Sequence, residues 1–489
     1  MLFVLGFAAS AFAIHADIPS DTTAVVAADG TQITLSGDIR VRYDWRHVSF
    51  ISNAPETSFV NERIRLGLEA KVSPNTTGMI QLSSYNGGGT ADSDNLVAGT
   101  GGISTGSVSQ ATGAAHYGNE FKGDLTIRQM WIMNQGTGLL GVNSGIKIGH
   151  MPIIVGTGLF LDHSYFGDDA LVAFTNPVKE LELDAVAIKF AESPTVTATT
   201  ETLSDEANAY VFIANYKPDK TTGVSFDATY VDVQNVGYVA SGPGLYPDVH
   251  LWNFGIRGNT EVEGFRFMVD GEIQTGQQVS NTTKPNVDFQ GYAAKGGVGY
   301  TLDPVKLDLE FGYGSGDNGK DNTKVKTFIT TQGPESTFGD PYRSMGMQGP
   351  YVYNYRTVNA ANNTYGGLEN MWYLRLGGNG DLAKDWNLDI AVYYLQAVEA
   401  SATTLYNVYG FTGKNITTTG VAEGGLAPNH DIGTEVDYRL TYKIDKGLQT
   451  WVEGGYLWAG DFWRAVSTVP LGSNPTDAYT TRVGIQLNF

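Results

Sequence analysis

A chain of 489 residues suffices for two or three soluble domains or for one very large barrel. Only 17% of its residues are charged, while 61 Gly, 26 Tyr, 22 Phe and 8 Trp are present; beyond the amino terminus no apolar run reaches the roughly 18 residues of a spanning helix, which argues against a helical membrane protein. The net charge of -20 makes nucleic acid a poor partner, and the lack of Cys suits an oxidising compartment and excludes covalently attached haem.

Residues 2–13 form a short apolar segment ending in Ala11, Phe12 and Ala13, so residues 1–16 are expected to be a signal peptide cleaved after Ala13 or Ala16. The first basic residue is Arg40, and the missing positive segment implies a start upstream of Met1 or a trimmed chain. A polar segment, 17–30, precedes a single expected domain, 31–489. Strands begin at Thr31. Ile39, Val41, Tyr43 and Trp45 alternate with Arg40, Arg42, Asp44 and Arg46, and residues 63–71 repeat the pattern with Arg63, Arg65, Glu69 and Lys71 on one face. Charged positions on one face need water, and apolar positions on the other need lipid.

The same period of two recurs near 77–87, 123–135, 144–151, 169–176, 180–191, 207–217, 222–234, 249–259, 264–275, 287–301, 305–315, 367–379, 386–399, 432–443, 448–459 and 477–489, which with the first two makes 18 strands. Short turns at 73–75, 217–219, 261–264, 302–304, 381–385 and 445–447 carry the Pro, Gly, Asn and Asp of tight reversals. Long polar loops fall between them at 88–122, 192–206, 235–248, 276–286, 316–366, 400–431 and 460–476. Aromatic residues gather near strand ends, and those pointing outward would form interfacial girdles. The last strand, with Tyr479, Val483, Ile485, Leu487 and Phe489 apolar and Arg482 between them, leaves an open edge unless it pairs with the first. The expected fold is all-β: a transmembrane antiparallel up-and-down barrel of about 18 strands, with short periplasmic turns and long extracellular loops.

Several stretches resemble the alginate-export-like outer-membrane barrels of Gram-negative bacteria. They are residues 33–43, the Asn61 to Glu69 segment, Ile127-Arg128-Gln129 followed by Ile146-Lys147-Ile148-Gly149-His150, the Gly-rich run from Gly312 to Asp317, and the hairpin ending in Gly460-Asp461-Phe462. The resemblance implies an 18-stranded channel, monomeric or homotrimeric. It places His150 where the family carries a lumenal Arg. That replacement and the acidic balance turn the expectation away from polyuronate export, which needs a positive lumen.

By alternation Arg40, Arg42, Arg63, Arg65, Arg128, Lys147 and Arg482 face the lumen as a basic arc. Asp227, Asp270, Glu272, Asp308, Glu310, Asp389, Glu435, Asp437 and Glu453 form an acidic arc opposite, and the two would set up a transverse field that sorts polar solutes. Residues 151–169, bearing Asp162, His163, Asp168 and Asp169, are a candidate constriction loop. Asp317 and Asp321 are a loose calcium candidate without the spacing of a defined loop. The Gly102 to Gly106 match to G-x-S-x-G and the Gly314 to Gly319 match to G-x-G-x-x-G lack their strand-to-helix context, so no catalytic residue, cofactor or resident metal is expected. The expected function is an outer-membrane porin passing ions and small hydrophilic solutes. Its rivals are a barrel sheathing a partner such as an electron-transfer cytochrome, and a substrate-specific polysaccharide channel. Expected partners are outer-membrane lipid and lipopolysaccharide, the solutes themselves, and barrel-assembly machinery that reads the terminal Phe489.

Overall fold

The computed structural model describes residues 24–28, 30–47, 56–85, 96–98, 124–138, 140–195, 203–234, 248–279, 286–318, 320–321, 323–330, 350–354, 368–400, 429–465 and 475–489. The signal segment, the Gly102 to Gly106 match and most of the long loops lie outside them.

Alternation produces the wall. Its strands are β1 (Thr31–His47), β2 (Thr57–Ser73), β3 (Thr76–Tyr85), β4 (Asp124–Gly136), β5 (Asn143–Ile154) and β6 (Asp162–Val178). They continue as β7 (Leu181–Thr195), β8 (Leu203–Tyr216), β9 (Gly223–Gln234), β10 (Asp248–Val262), β11 (Phe265–Val279) and β12 (Tyr292–Leu302). The last six are β13 (Val305–Gly314), β14 (Met371–Ala383), β15 (Trp386–Ala397), β16 (Asp431–Asp445), β17 (Leu448–Ala459) and β18 (Ala478–Asn488). Each pairs antiparallel with the next, and β18 pairs with β1 from Asn488 against Asp38 to Tyr479 against His47, closing an 18-stranded barrel. The seam extends one residue further: the Gly37 and Phe489 backbones exchange hydrogen bonds of 2.7 and 3.0 Å. A Cβ on Gly37 would lie 2.8 Å from the Phe489 ring, so the position needs glycine.

All 18 expected segments are present. Three begin well before alternation indicated: β2 at Thr57 instead of residue 63, β6 at Asp162 instead of residue 169, and β8 at Leu203 instead of residue 207. In β6 the pairing jumps from Met151–Asp168 to Ile153–His163, so residues 164–167 bulge out of the ladder, turning through Gly167 at φ 82°. The extra residues break the period and hide the strand. Short strands outside the wall also form, among them Ala24–Ala28 on β1, within the segment expected to be merely polar.

Six two-residue turns (74–75, 179–180, 263–264, 303–304, 384–385 and 446–447) lie on one rim, together with Thr31 and Phe489. Every expected short turn falls on this turn rim. The long connections lie on the other, the loop rim.

The outer face is apolar: Ile39, Val41, Tyr43, Trp45, Ile64, Leu66 and Leu68 are all at least 40% exposed. A belt of this kind has lipid as its natural solvent. Outward aromatics form two girdles. Trp45, Tyr456, Trp458 and Tyr479 are near the loop rim, and Trp386 with Tyr442 (4.6 Å between ring centroids) and Phe265 with Tyr300 (4.4 Å) are near the turn rim. On β15, Trp386 and Tyr394 belong to opposite girdles, about 26 Å apart along the strand at ~3.3 Å per residue, or roughly 20 Å across the membrane once tilt is allowed for. Among the described residues no helix is long and apolar enough to cross a membrane. Trp451, Tyr373, Tyr393 and Trp463, also near strand ends in sequence, are buried instead.

Candidate functional site

The lumen carries the chemistry. Arg40, Arg42, Arg63 and Arg482 occupy inward positions and are at most 2% exposed, Lys147 is equally buried, and Arg65 is half-buried. Arg128 sits in a β4 bulge, where the pairing steps from Gln81–Gln129 to Leu82–Ile127. Lys147 Nζ lies 4.0 Å from the Trp131 ring centroid. Asp227, Asp270, Glu272, Glu310, Glu435, Asp437 and Glu453 are buried inward carboxylates, while Asp308 is 31% exposed.

The charges are not segregated as simply as two facing arcs. On neighbouring strands the register sets Asp389 opposite Arg439, Arg439 opposite Glu453, Glu453 opposite Arg482, and Arg482 opposite Asp44. This ladder of alternating sign runs along the wall. Arg439 Nη1 lies 3.2 Å from Glu453 Oε2, Arg482 Nε 2.6 Å from Asp44 Oδ1, and Arg42 Nε 2.9 Å from Asp44 Oδ2. Arg63 donates to Asp38 at 2.8 Å, Lys295 pairs with Glu310 at 3.3 Å, and Arg375 pairs with Asp308. Part of the expected opposition survives: β1–β2 hold Arg40, Arg42, Arg63 and Arg65 against Asp38 and Asp44, and β10 stands nine strands away on either side of the closed wall.

On β10, alternation presents Asn253, Gly255 and Arg257 to the lumen. The Arg257 guanidinium leans over Gly255 and meets three carboxylates: Asp227, Asp270 (3.0 Å) and Glu272. A Cβ on Gly255 would lie 2.5 Å from both Arg257 Nη2 and Asp227 Oδ1, so any larger residue there must displace the ends of these paired side chains. One guanidinium against three carboxylates leaves two formal negative charges. Sequence reasoning missed Arg257, Arg375 and Arg439 because acids crowd those strands, although their inward parity was readable.

Chain segments fold into this lumen. Between β5 and β6, residues 155–161 turn through Gly156 (φ 61°) and Gly158 (φ 80°), with Val155 N bonded to Leu161 O at 3.0 Å. Gly156 packs against the Arg257 guanidinium, leaving no room for a side chain, and Thr157 Oγ1 donates to Asp270 at 2.5 Å. Phe160 and Leu161 join an apolar cluster that reaches from Met79 on β3 to Ala293 on β12, while Leu159 joins a second with Tyr351, Val352, Tyr373 and Tyr393. The turn therefore bridges two sectors of the wall. A second segment runs along β11, where the Gln274 side chain brackets the Ile329 backbone with bonds of 2.6 and 2.9 Å. A third is α1 (Tyr351–Asn354), whose first amides donate to Asp437 (3.1 Å) and Glu435 (2.6 and 2.9 Å), with the Tyr351 ring 5.3 Å from the Arg482 guanidinium.

The expected loop at 151–169 is thus mostly strand. Asp162, His163, Asp168 and Asp169 lie in β6, and only 155–161 enter the lumen. His163 Nδ1 lies 2.8 Å from Asp168 Oδ2, both buried, so the pair spans the neck of the β6 bulge. Asp162 Oδ1 accepts from Ser164 N at 3.1 Å. Asp169 is 75% exposed, on the outer face, and holds His150 at 2.9 Å. His150 is therefore an outer-face residue and not the lumenal one that the resemblance implied, because strand alternation turns it outward between Gly149 and the buried Met151, three positions on from inward Lys147. Asp317 accepts from Lys326 N (2.9 Å) and Asp321 from Thr323 N (3.0 Å), so each folds its own loop. Among the described residues no group of three or more His, Asp or Glu side chains could hold a metal.

Comparisons with known proteins follow the same lines. Residues 182–471 match the family described as alginate export. No curated protein matches the sequence. Among solved structures the chain is similar to OccK2 (OpdF) of Pseudomonas aeruginosa, at 10% identity and TM-score 0.50 over 93% of this chain and 98% of that one. It is equally similar to a BenF-like porin from Pseudomonas fluorescens Pf-5, at 10% identity and TM-score 0.50 over 94% and 98%. At such identity the likeness is one of fold.

Proposed function

From its membership of the alginate-export family, to which this chain belongs, we infer an outer-membrane channel of a Gram-negative bacterium for passive diffusion of small hydrophilic solutes. The observation that carries this reading is a closed wall, apolar outside and charged inside, whose lumen is narrowed by the chain's own segments and not by a separate domain. A polymer threading the barrel would have to displace residues 155–161 and α1 from ionic and backbone contacts, so small solutes fit better than a polysaccharide. The same filling leaves little space for a sheathed cytochrome. That the similar Pseudomonas fluorescens protein is a BenF-like porin agrees.

In this reading Arg40, Arg42, Arg63 and Arg65 line the path on one side, and the Arg257 cluster lines the other, while Glu435 and Asp437, three strands from β1, hold α1 in place. A solute carrying both charges would be oriented between them. Residues 1–16 act as the signal segment, 31–489 as the barrel, and Phe489 as the mark read by the assembly machinery.

The test is the reversal potential of single channels in a KCl gradient. Changing Arg40, Arg42, Arg63 and Arg65 together to Ala should move selectivity toward cations and alter conductance. Unchanged values of both would remove the basic sector from the path.

A further inference from the structure

We propose that a notch in the outer face of the wall, between the loop-rim ends of β11 and β12, binds the saccharide headgroup of an outer-leaflet lipid. The ladder opens there. Pairing runs up to Ile273 against Tyr292 and resumes only at Gln277 against Asp288, with a single backbone bond, Gln274 N to Gly291 O at 2.8 Å, crossing the gap. The cause is an inner partner. Residues 288–289 pair in parallel with Lys324–Val325, Gln290 N bonds to Val325 O at 2.8 Å, and the Phe289 side chain is drawn inward to 1% exposure. On the facing strand Gly276, at φ 124°, lies against the His250 carbonyl, with which a Cβ would collide. What remains is a cavity of about 560 Å³.

Height and lining name the occupant. Tyr292 stands as many residues from Tyr300, in the turn-rim girdle, as Tyr394 stands from Trp386, so the notch opens at the level of the loop-rim girdle. On the outer-membrane reading, on which this proposal rests, that level is where lipid headgroups meet the barrel. Tyr292 is 50% exposed, and Tyr313 backs its ring at 5.8 Å between centroids, which fixes a flat apolar wall. Ile273, on the side toward the membrane centre, is also exposed. Asp288, Gln290 and Thr275 stand exposed beside them and offer a carboxylate, an amide and a hydroxyl. An aromatic wall with hydrogen-bonding groups at its margin suits a sugar ring, whose faces carry C–H bonds and whose rim carries hydroxyls. Neither Lys nor Arg is among the lining residues, and Asp288 would repel an anion, so phosphate is not the group held. An ammonium headgroup could meet Asp288 but would leave the aromatic wall unused.

The experiment is native mass spectrometry of the purified full chain in a zwitterionic detergent, titrated with rough lipopolysaccharide or with phosphatidylethanolamine. One lipopolysaccharide per barrel is expected, displaced by dodecyl maltoside, a sugar-headed amphiphile, and not by phosphatidylethanolamine. Tyr292→Leu and Gln290→Ala should each weaken binding by about tenfold, the worth of one such contact. Trp45→Leu, in the same girdle but far from the notch, should leave it unchanged. Should Tyr292→Leu fail to fold, Thr275→Trp decides: a ring placed in the notch from its exposed side must abolish binding. No saturable binding, phosphatidylethanolamine bound as tightly, indifference to these changes, or an equal loss in Trp45→Leu would each overturn the proposal. The assay needs no current, so such a result leaves the channel reading to its own test.

Discussion

Arg257 is the side chain whose removal should cost most. Replacement by Met keeps much of the volume but leaves Asp227, Asp270 and Glu272 facing one another in the wall without their cation. At about 3 Å and an effective dielectric constant of about 20, each pair is worth roughly 5 kcal/mol of gross Coulomb energy. Desolvation of both partners cancels much of that, and removing one partner of a buried pair typically costs about 3–5 kcal/mol net. A loss of that size is expected in urea titrations of the purified barrel at neutral pH, followed by tryptophan emission. The inward turn should loosen as well, because Gly156 packs on that guanidinium and Thr157 bonds to its partner Asp270, so open-channel current should become larger and noisier. Adding Glu272→Gln to Arg257→Met should recover part of the stability, since the two side chains share one network and their effects cannot add. Were the single variant as stable as the parent, or the double no better than the single, the carboxylate-clamp account of this wall would be wrong.

Two further outcomes follow from the seam between β18 and β1. Deleting Phe489 removes the backbone exchange with Gly37 and the ring over it; folded yield in the outer membrane should fall, while any channels that form should keep the parental conductance, and normal yield would contradict the closure role. At the loop rim, outside the spanning strands, Glu56 accepts from the Tyr479 hydroxyl and from Trp45 Nε1 (3.2 Å), and these bonds hold its carboxyl below the usual carboxylate range, the tyrosine contributing most. A depressed value means that the contribution is complete above the ordinary carboxylate range and is lost only as pH falls through the lower folded value. The difference in tryptophan emission between the parent and Glu56→Gln should therefore persist at pH 5 and vanish only in stronger acid; a difference that vanished above pH 5 would refute the clamp.

The wall was legible in sequence because a strand with lipid on one side and water on the other writes its orientation into every residue. Ile39 to Arg46 state it completely, and the 18 segments followed. Two kinds of feature were not legible. Bulges shift the period without announcing themselves, so the first turns of β6 read as loop and Arg128 read as an ordinary inward residue. Cross-strand partners depend on register, which accumulates over every turn and bulge, so no inspection of single strands could set Glu453 between Arg439 and Arg482. The stretch 151–169 stands out in sequence because it is long and partly apolar after a strand, and residues 155–161 are the part of it that enters the lumen. Their docking site on Arg257 was invisible, since nothing local connects residues so far apart along the chain.

The field across the lumen depends on residual charge, not on total charge. Along β15–β18 and β1 acids and bases alternate and cancel within a few ångströms, so a solute more than a Debye length away, about 8 Å at physiological salt, feels little from them. Imbalance remains in two places. On β1–β2 four arginines outnumber Asp38, Asp44 being shared with Arg482 of the ladder, and on β9–β11 three carboxylates face one Arg257, so charge of opposite sign remains on opposite walls. The inward turn at 155–161 rests on the acidic side; in the proposed channel it would narrow the passage where negative charge is in excess and push solute toward the arginines. On the proposed reading an acidic chain would in this way present its basic wall to whatever passes, which the four-arginine variant tests.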